Sequence, residues 1–219
     1  MDVSEQGAHR RATAAAYDAV ASHYETRWAR YLSETVERVL RVIDGPPEMG
    51  VVDVSCGTGR LLEHVVRRFP RARVVGIDAS QGMLRQAVAK RLPPTVQCIQ
   101  GVAEAMPVRS GRFDHVVSTN AFHHFLRPAR VIEECRRALK PSGQLVILDW
   151  CRESWLCRLI DWWLRLVDRA HVRMYTRREL AALLTQEGFA TQRSQRFRVS
   201  WVFGLKLWDM MLVAATRNP

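Results

Sequence analysis

Short apolar segments alternate along much of the chain with longer segments whose apolar residues recur every three or four positions. The valine-rich segment 51–54 comes first, and the small residues of 55–59 follow it. Apolar residues then return at helical spacing from Leu61 to Val66. This order predicts a buried strand, a tight glycine-rich turn and a helix. The start of such a helix offers free N–H groups and the positive end of its dipole to a polar or anionic ligand.

The same alternation continues on both sides of this unit. Further strands are predicted at 73–78, 96–99, 113–118 and 143–150. Further helices are predicted at 14–24, 32–43, 81–91 and 128–139. Strands and helices in this order predict a parallel α/β sheet with helices on both faces, whose ligands bind outside the carboxyl ends of the strands. We expect residues 1–10 to form a disordered end.

The pattern changes after residue 150. Residues 152–169 predict an amphipathic helix with tryptophans at 155, 162 and 163 and basic residues on the opposite face. Three interpretations stay open for it: a helix of the core, the wall of a hydrophobic ligand pocket, or a helix lying on a membrane surface. A capping box from Thr176 to Glu179, with Gly188 after it, predicts a helix over 177–187.

Residues 189–200 and 207–216 predict two closing strands that pair antiparallel at the edge of the sheet.

Composition places the chain among soluble globular proteins of one domain, 1–219. Apolar residues make up 47% and charged residues 25% of the sequence. No apolar run approaches the roughly 18–20 residues that span a bilayer, and the first residues show no secretory signal. The five cysteines are odd in number and lack CxxC spacing, which predicts reduced thiols in a cytoplasmic protein.

The net charge of +11 raises the question of an anionic partner. Only three of the 33 basic residues are lysines, and no basic run exceeds two arginines. Dispersed, solvated charge is therefore the favoured interpretation. Nucleic acid, acidic lipid or an acidic substrate stays open as the alternative.

The glycine-rich turn predicts a nucleoside ligand. It fails the dinucleotide fingerprint because Leu62 stands where the third small residue belongs after Gly57 and Gly59, and the chain has no P-loop sequence. Asp78 ends the second strand, where its carboxylate can accept two charge-assisted hydrogen bonds from a ribose diol.

Taken together, these segments resemble the class I S-adenosylmethionine-dependent methyltransferases. Within them the chain is most similar to the methyltransferase type 11 group, which contains the ubiquinone and menaquinone methyltransferases. The matching segments are Asp53–Gly59, Val74–Ser80, Gly101–Pro107, Phe113–Asn120 and Leu139–Gly143. Tyr17–Tyr24 resembles the tyrosine-containing N-terminal helix of that group, so the match covers roughly residues 14–150 in order.

The resemblance implies a Rossmann-like, doubly wound, mostly parallel sheet of seven strands in the order 3-2-1-4-5-7-6. It also implies a division of the single domain into four parts. These are an N-terminal helical cap (1–45), a cofactor-binding core (46–150), a helical insertion or lid (151–175), and a C-terminal helix with two strands (176–219).

The resemblance implies S-adenosylmethionine as the cofactor, with S-adenosylhomocysteine as the product. The turn would hold the methionine part, Asp78 the ribose, Ala79 and Met83 the adenine ring, and Ala103 and Glu104 the adenine edge. Asn120 would lie beside the reactive methyl group. The full implied set is Tyr17, Asp53, Ser55, Cys56, Gly57, Thr58, Gly59, Asp78, Ala79, Met83, Ala103, Glu104 and Asn120.

The chain departs from the group at two positions. Ser55 stands where the group usually has glycine, and Val102 stands where it usually has an aspartate that accepts from the adenine amino group. Glu104 or a backbone carbonyl would have to replace that acceptor, or the affinity for the cofactor is lower.

The reaction of this family is an in-line displacement at a sulfonium methyl group, so the protein mainly aligns the reactants and excludes water. A base is needed only if the acceptor carries a proton at neutral pH. The catalytic candidates are His123, His124, Asp149 and Tyr24; Cys151, His171 and Tyr175 are weaker ones. The two adjacent histidines could instead form a loop pair that merely packs. No third residue has metal-ligand spacing to them, so we expect no metal.

The predicted function is methyl transfer to a small hydrophobic or aromatic acceptor, with a quinone precursor as one example. Three alternatives stay open: an RNA methyltransferase, a non-catalytic S-adenosylmethionine-binding partner protein, and, weakest, a nicotinamide dehydrogenase. The sequence predicts no transmembrane segment, leaves peripheral membrane contact through 152–169 open, and does not determine the oligomeric state.

Overall fold

The computed structural model describes residues 3–199 and 208–218. Seven strands form one sheet in the order β3-β2-β1-β4-β5-β7-β6, which confirms the expected topology. The strands are β1 Gly50–Val54, β2 Arg73–Asp78, β3 Val96–Gln100, β4 Phe113–Thr119, β5 Leu139–Trp150, β6 Phe189–Val199 and β7 Trp208–Arg217. β7 pairs antiparallel with both β5 and β6, as predicted, whereas β1 to β5 are parallel.

Seven α-helices connect these strands within the described residues. They are α1 Val3–Val20, α2 Tyr24–Leu40, α3 Arg60–Arg68, α4 Gln81–Ala89, α5 Pro128–Ala138, α6 Trp155–Val167 and α7 Arg177–Gln186. The capping box predicted for α7 is present, and Gly188 follows it with a positive φ of 79°.

The period-two alternation of each strand divides the core into two layers. Val51 and Val117 pack with α2 and α3 on one face of the sheet. Val52 and Val116 pack with α5 and α7 on the other face. Because both faces are covered by helices, the carboxyl ends of the parallel strands are left as the place for a ligand.

The expectation of a disordered N-terminal end is wrong for the described residues, because α1 is helical from Val3 onward. Tertiary contacts hold this helix, which is too polar to be stable alone. Asp18 Oδ1 accepts hydrogen bonds from Ser80 Oγ and Gly82 N, both at 2.6 Å. Arg10 lies 3.6 Å from the Glu104 carboxylate.

Element boundaries also differ from the prediction. α2 begins at Tyr24 rather than near residue 32, with a kink at Trp28. β5 begins at Leu139, which pairs with Phe113 of β4, rather than at residue 143. The predicted closing strands are confirmed as β6 and β7 over the described residues; positions 200 and 207 lie outside them.

The helix predicted at 152–169 is α6, and most of the apolar face predicted for it lies outside the core. That face is exposed: Trp155, Leu159, Trp162, Trp163, Leu166 and Val167 have 54% to 76% of their surface accessible. The side that faces inward carries Asp161, which is 3% exposed, and the apolar side chains of Cys157, Ile160 and Leu164, which pack in the core. No described helix is both long and apolar enough to cross a membrane.

Hydrogen bonds at Asp161 help to fix the orientation of α6. Its carboxylate accepts from His171 Nε2 at 2.8 Å, from Met174 N at 2.6 Å and from Arg165 at 2.7 Å. Burial opposes the charge, but these hydrogen bonds and the Arg165 charge hold the pKa of Asp161 below its ordinary value. A satisfied buried carboxylate therefore fixes which side of the helix faces the protein.

We expect Asp161→Asn to lower the free energy of unfolding at neutral pH by about 2–4 kcal/mol, because donors buried around the carboxylate lose a charged acceptor. Because the pKa of Asp161 is lower in the folded protein than in the unfolded chain, the ionised carboxylate stabilises the fold at any pH above the unfolded pKa. This stabilisation is lost as the pH falls through the folded pKa. The difference between wild type and variant in urea unfolding should therefore shrink below about pH 4. A difference that does not change with pH would contradict this explanation.

Candidate active site

The turn after β1 is held in unusual backbone conformations. Ser55 has a φ of 61° and Gly57 a φ of 53°, and Asn120, which follows β4, has a φ of 59°. Non-glycine residues with positive φ store strain and cluster at functional sites. A Cβ at Gly59 would lie 3.0 Å from Ala87 Cβ, so α4 packs against the turn only because that residue is glycine.

A pocket opens between this turn, the end of β2, the loop after β3 and α1. It brings together nine of the thirteen residues that the resemblance implied for the cofactor. These are Tyr17, Ser55, Gly57, Asp78, Ala79, Met83, Ala103, Glu104 and Asn120. Asp53, Cys56 and Thr58 line a smaller cavity that continues from it past Tyr24.

Asp78 lies at the centre of this pocket and already organises its backbone. Its Oδ2 accepts from Gly57 N and its Oδ1 from Ser80 N, both at 2.8 Å. Burial raises the pKa of Asp78 in spite of these hydrogen bonds. Each carboxylate oxygen can accept a second hydrogen bond, so both remain able to bind a diol.

A second cavity, of about 620 Å³, adjoins the first. Its walls are rich in aromatic side chains from α1, α2 and the end of β5: Tyr17, Tyr24, Trp28, Tyr31 and Trp150. His123, His124 and Asp168 complete the wall nearest α6. Tyr17, Tyr24, Asn120 and His124 line both cavities, so the two meet at these side chains.

Hydrogen bonds fix His124 as a neutral, fully paired imidazole. Nδ1 lies 2.7 Å from the Ala170 carbonyl oxygen, so it must donate there. Nε2 then accepts from the Tyr17 hydroxyl at 2.7 Å. Burial, with His123 adding to it, lowers the pKa of His124 well below its ordinary range. This histidine ties α1 to the loop after α6 and has no free nitrogen for proton transfer.

His123 has a different arrangement. Its Nδ1 lies 2.6 Å from Asp149 Oδ1, so Nδ1 donates there, and in the neutral imidazole Nε2 carries the lone pair. The Asp149 carboxylate also accepts from His123 N at 2.7 Å and from Trp150 N at 2.6 Å. The His123 ring stacks on Trp150 with ring centres 4.0 Å apart. Its buried Nε2 has no hydrogen-bond partner among the described residues.

Comparison with known proteins identifies the family. A family model described as "Methyltransferase domain" matches residues 52–147. The malonyl-[acyl-carrier protein] O-methyltransferase of Geobacter sulfurreducens is 31% identical over 82% of this chain and 70% of its own length. This chain belongs to the S-adenosylmethionine-dependent methyltransferases. A second relative, the demethylmenaquinone methyltransferase of Thermotoga maritima, is 34% identical over 57% of this chain and 51% of its own length.

Solved structures of the family have the same fold. An S-adenosylmethionine-dependent methyltransferase of Thermotoga maritima aligns with a TM-score of 0.73 at 19% identity, over 92% of this chain and 98% of that one. Five curated relatives are matched over only 45% to 70% of their own lengths. The chain thus spans roughly half to two thirds of most of them.

The residues present fit S-adenosylmethionine, the cofactor of this family. Asp53 Oδ1 is buried and lacks a hydrogen-bond partner among the described residues. Burial, with Asp78 adding to it, raises the pKa of Asp53 well above its usual range. A buried acceptor of this kind suits a cationic amino group, which the methionine part carries. A Cβ at Gly57 would meet no atom within 4 Å, so the turn borders open space there.

Three implied cofactor residues have structural roles as well. The Thr58 hydroxyl donates to Glu25 Oε1 at 2.5 Å, which fastens the turn to α2. Burial raises the pKa of Cys56 well above its ordinary value, so this thiol stays protonated. Gly59 lines neither of the cavities described above and instead allows α4 to approach. Their direct contact with the cofactor stays a prediction.

Sequence analysis missed the part of α1 that lines the cofactor pocket. His9, Arg10, Thr13 and Ala14 join Tyr17 there. The signal was present, because His9, Thr13 and Tyr17 follow one another at four-residue intervals and therefore share a helix face. The polar character of residues 1–10 hid it.

The remaining catalytic candidates do not supply a base. Burial raises the pKa of Tyr24 to about 12, and that of Tyr175 also lies above its ordinary value for the same reason. Burial raises the pKa of Cys151 to about 11. His171 donates from Nε2 to Asp161, and its buried Nδ1 has no partner among the described residues, but the residue lines none of the three cavities described above. In the described part of the chain, no group of three or more His, Cys, Asp or Glu side chains is arranged to hold a metal ion.

Proposed function

We propose that this chain transfers the methyl group of S-adenosylmethionine to a small hydrophobic or aromatic acceptor bound in the 620 Å³ cavity. The observation that carries the proposal is the aromatic lining of this cavity and its junction with the cofactor pocket at Tyr24 and Asn120. Its size is within the range of roughly 300–1,000 Å³ typical of small-molecule sites. Flat aromatic walls favour a planar acceptor.

The relatives support a small acceptor without selecting one. One is named for a malonyl group on acyl-carrier protein and another for demethylmenaquinone. A carboxylate such as malonyl needs no base, because it is ionised at neutral pH. His123 lines the cavity, and its buried Nε2 has no partner in the part of the chain that the structure describes. This favours an acceptor that carries a proton on its nucleophilic atom, such as a phenol or quinol.

Different residues of the chain bind the cofactor, orient the acceptor and accept its proton. S-Adenosylmethionine, when bound, supplies a methyl group on an already activated sulfonium leaving group. Asp78, Asp53 and the turn hold it, while the aromatic walls orient the acceptor and exclude water. His123 Nε2 takes the acceptor's proton, and Asp149 holds the required tautomer and stabilises the imidazolium that forms.

Side chains of α2 hold Asn120 in its position between the two cavities. Its Oδ1 accepts from the Tyr31 hydroxyl at 2.7 Å, and its Nδ2 donates to Thr35 Oγ1 at 3.2 Å. Trp150 Nε1 donates to the same Tyr31 hydroxyl at 2.9 Å. This network connects the wall of the acceptor cavity to the residue beside the cofactor pocket, which supports a role in positioning both reactants.

Calorimetric titration and a product screen test this function. We expect the chain to bind S-adenosylmethionine but not NAD, and to release S-adenosylhomocysteine when phenols or quinols are supplied. Thiols and RNA serve as competing acceptor classes in the same screen. Absence of S-adenosylmethionine binding would reject the proposal. If RNA is the only acceptor that is methylated, the chain is an RNA methyltransferase instead. If the cofactor binds but no acceptor is methylated, the chain is a non-catalytic cofactor-binding protein.

A further inference from the structure

Methyl transfer leaves the exposed apolar face of α6 unexplained. This face consists of Trp155, Leu159, Trp162, Trp163, Leu166 and Val167. These are six of the eight large hydrophobic side chains that are exposed in the described part of the chain. Exposed apolar side chains gathered on one helix mark an interaction surface, whereas isolated ones carry no such meaning.

The charges beside this face indicate what covers it. Arg158 and Arg165 stand seven positions apart, so they lie on the same side of the helix next to the apolar face. Both are exposed, as is Arg169 just beyond the carboxyl end. Arg165 pairs with the Asp161 carboxylate, whereas Arg158 donates to the Arg152 carbonyl oxygen. The face is therefore bordered by cations that an anionic surface would attract.

We propose that α6 lies on an anionic lipid bilayer, with its apolar face in the headgroup region. Tryptophan is enriched where protein meets the interface of a membrane, and arginine beside it attracts acidic headgroups. A second copy of this chain fits less well, because each copy carries a net charge of +11 and would bring its own arginines to the interface. The inner side of α6 is already anchored through Asp161, so docking needs no unfolding.

The position of α6 gives this docking a consequence for the site. The helix ends at Val167, and the next residue, Asp168, lines the acceptor cavity. Two residues further, the Ala170 carbonyl oxygen holds His124. A bilayer under α6 would therefore lie beside the mouth of the cavity. The docking does not depend on the acceptor proposed above, because vesicle binding is measured without methyl transfer.

Vesicle sedimentation tests the proposal. We expect the wild-type chain to bind vesicles of equal parts phosphatidylcholine and phosphatidylglycerol, to bind phosphatidylcholine alone much more weakly, and to be released by high salt. The double variant Trp162→Gln/Leu166→Gln should partition onto the vesicles at least about tenfold less, because two apolar side chains are removed from the face that enters the bilayer. Both positions are more than 60% exposed, so the variant should keep the wild-type circular dichroism and S-adenosylmethionine affinity.

Val88→Gln is the matched control, since Val88 is 64% exposed but lies on α4. Its vesicle binding should equal that of wild type. An equal loss in the Val88 and α6 variants, or no binding of wild type to acidic vesicles, would overturn the proposal. A wild-type dimer that the α6 variant converts to a monomer, with no vesicle binding by either, would assign the face to self-association instead.

Discussion

Replacing His123 with glutamine should lower kcat for a proton-bearing acceptor by about 10²–10⁴-fold, the usual contribution of a positioned general base. The affinity for S-adenosylmethionine should be little changed, because His123 lines the acceptor cavity and not the cofactor pocket. Initial rates with a proton-bearing acceptor and calorimetric titration of the cofactor measure both effects.

Two further variants separate proton transfer from general damage to the site. Asp149→Asn should also lower kcat strongly, because its amide cannot accept from His123 Nδ1, His123 N and Trp150 N together. His64→Gln on α3 replaces a histidine that lines none of the cavities described, so its kcat should match wild type. An unchanged kcat in His123→Gln would show that the acceptor needs no base.

Replacing Asp78 with alanine should weaken S-adenosylmethionine binding by at least about 100-fold, because two charge-assisted hydrogen bonds to the ribose are lost. The acceptor cavity lies outside this contact, so the acceptor affinity should change less. Isothermal titration gives both constants. An affinity close to that of wild type would show that Asp78 organises the turn without touching the cofactor.

The same substitution also removes the acceptor for Gly57 N and Ser80 N, so thermal unfolding of the ligand-free protein must accompany the titration. Asp44→Ala is a suitable control, since Asp44 is an exposed aspartate that accepts from the neighbouring Gly45 N and lines none of the cavities described. It should leave the cofactor affinity unchanged. If Asp78→Ala loses cofactor affinity only to the extent that it also loses folded structure, the result would argue against a direct contact between Asp78 and the cofactor.

Much of the cofactor pocket could be predicted from the sequence because its elements are local. A valine-rich strand, a small-residue turn and a strand-terminal aspartate each follow from a few adjacent residues. Parallel strands bring their carboxyl ends to one edge, so the order of the segments was enough to expect Ser55, Asp78 and Asn120 around one pocket. The part from α1 was missed because its helix depends on contacts with distant residues.

The two adjacent histidines show where sequence reasoning stops. His123 and His124 are the same residue type at adjacent positions, yet the structure separates them. A carboxylate holds His123, whose Nε2 has no partner within the described ranges, whereas both nitrogens of His124 are paired. Their partners, Asp149, Ala170 and Tyr17, come from three separate parts of the chain. No local pattern records such distances, so only the tertiary structure separates a candidate base from a residue that ties elements together.

By itself, the sequence determined the order of strands and helices, the glycine-rich turn with Asp78, and the resemblance to one methyltransferase family. The hydrophobic pattern of α6 likewise determined that it is an amphipathic helix, but not which side faces the protein. Only the tertiary structure decided that, because hydrogen bonds from His171 and Met174 satisfy the buried Asp161 carboxylate. Cys157 packs in the core on the same side of the helix, which leaves the tryptophans outside. A helical period shows that two faces differ, whereas the neighbours that satisfy each face decide which of them is buried.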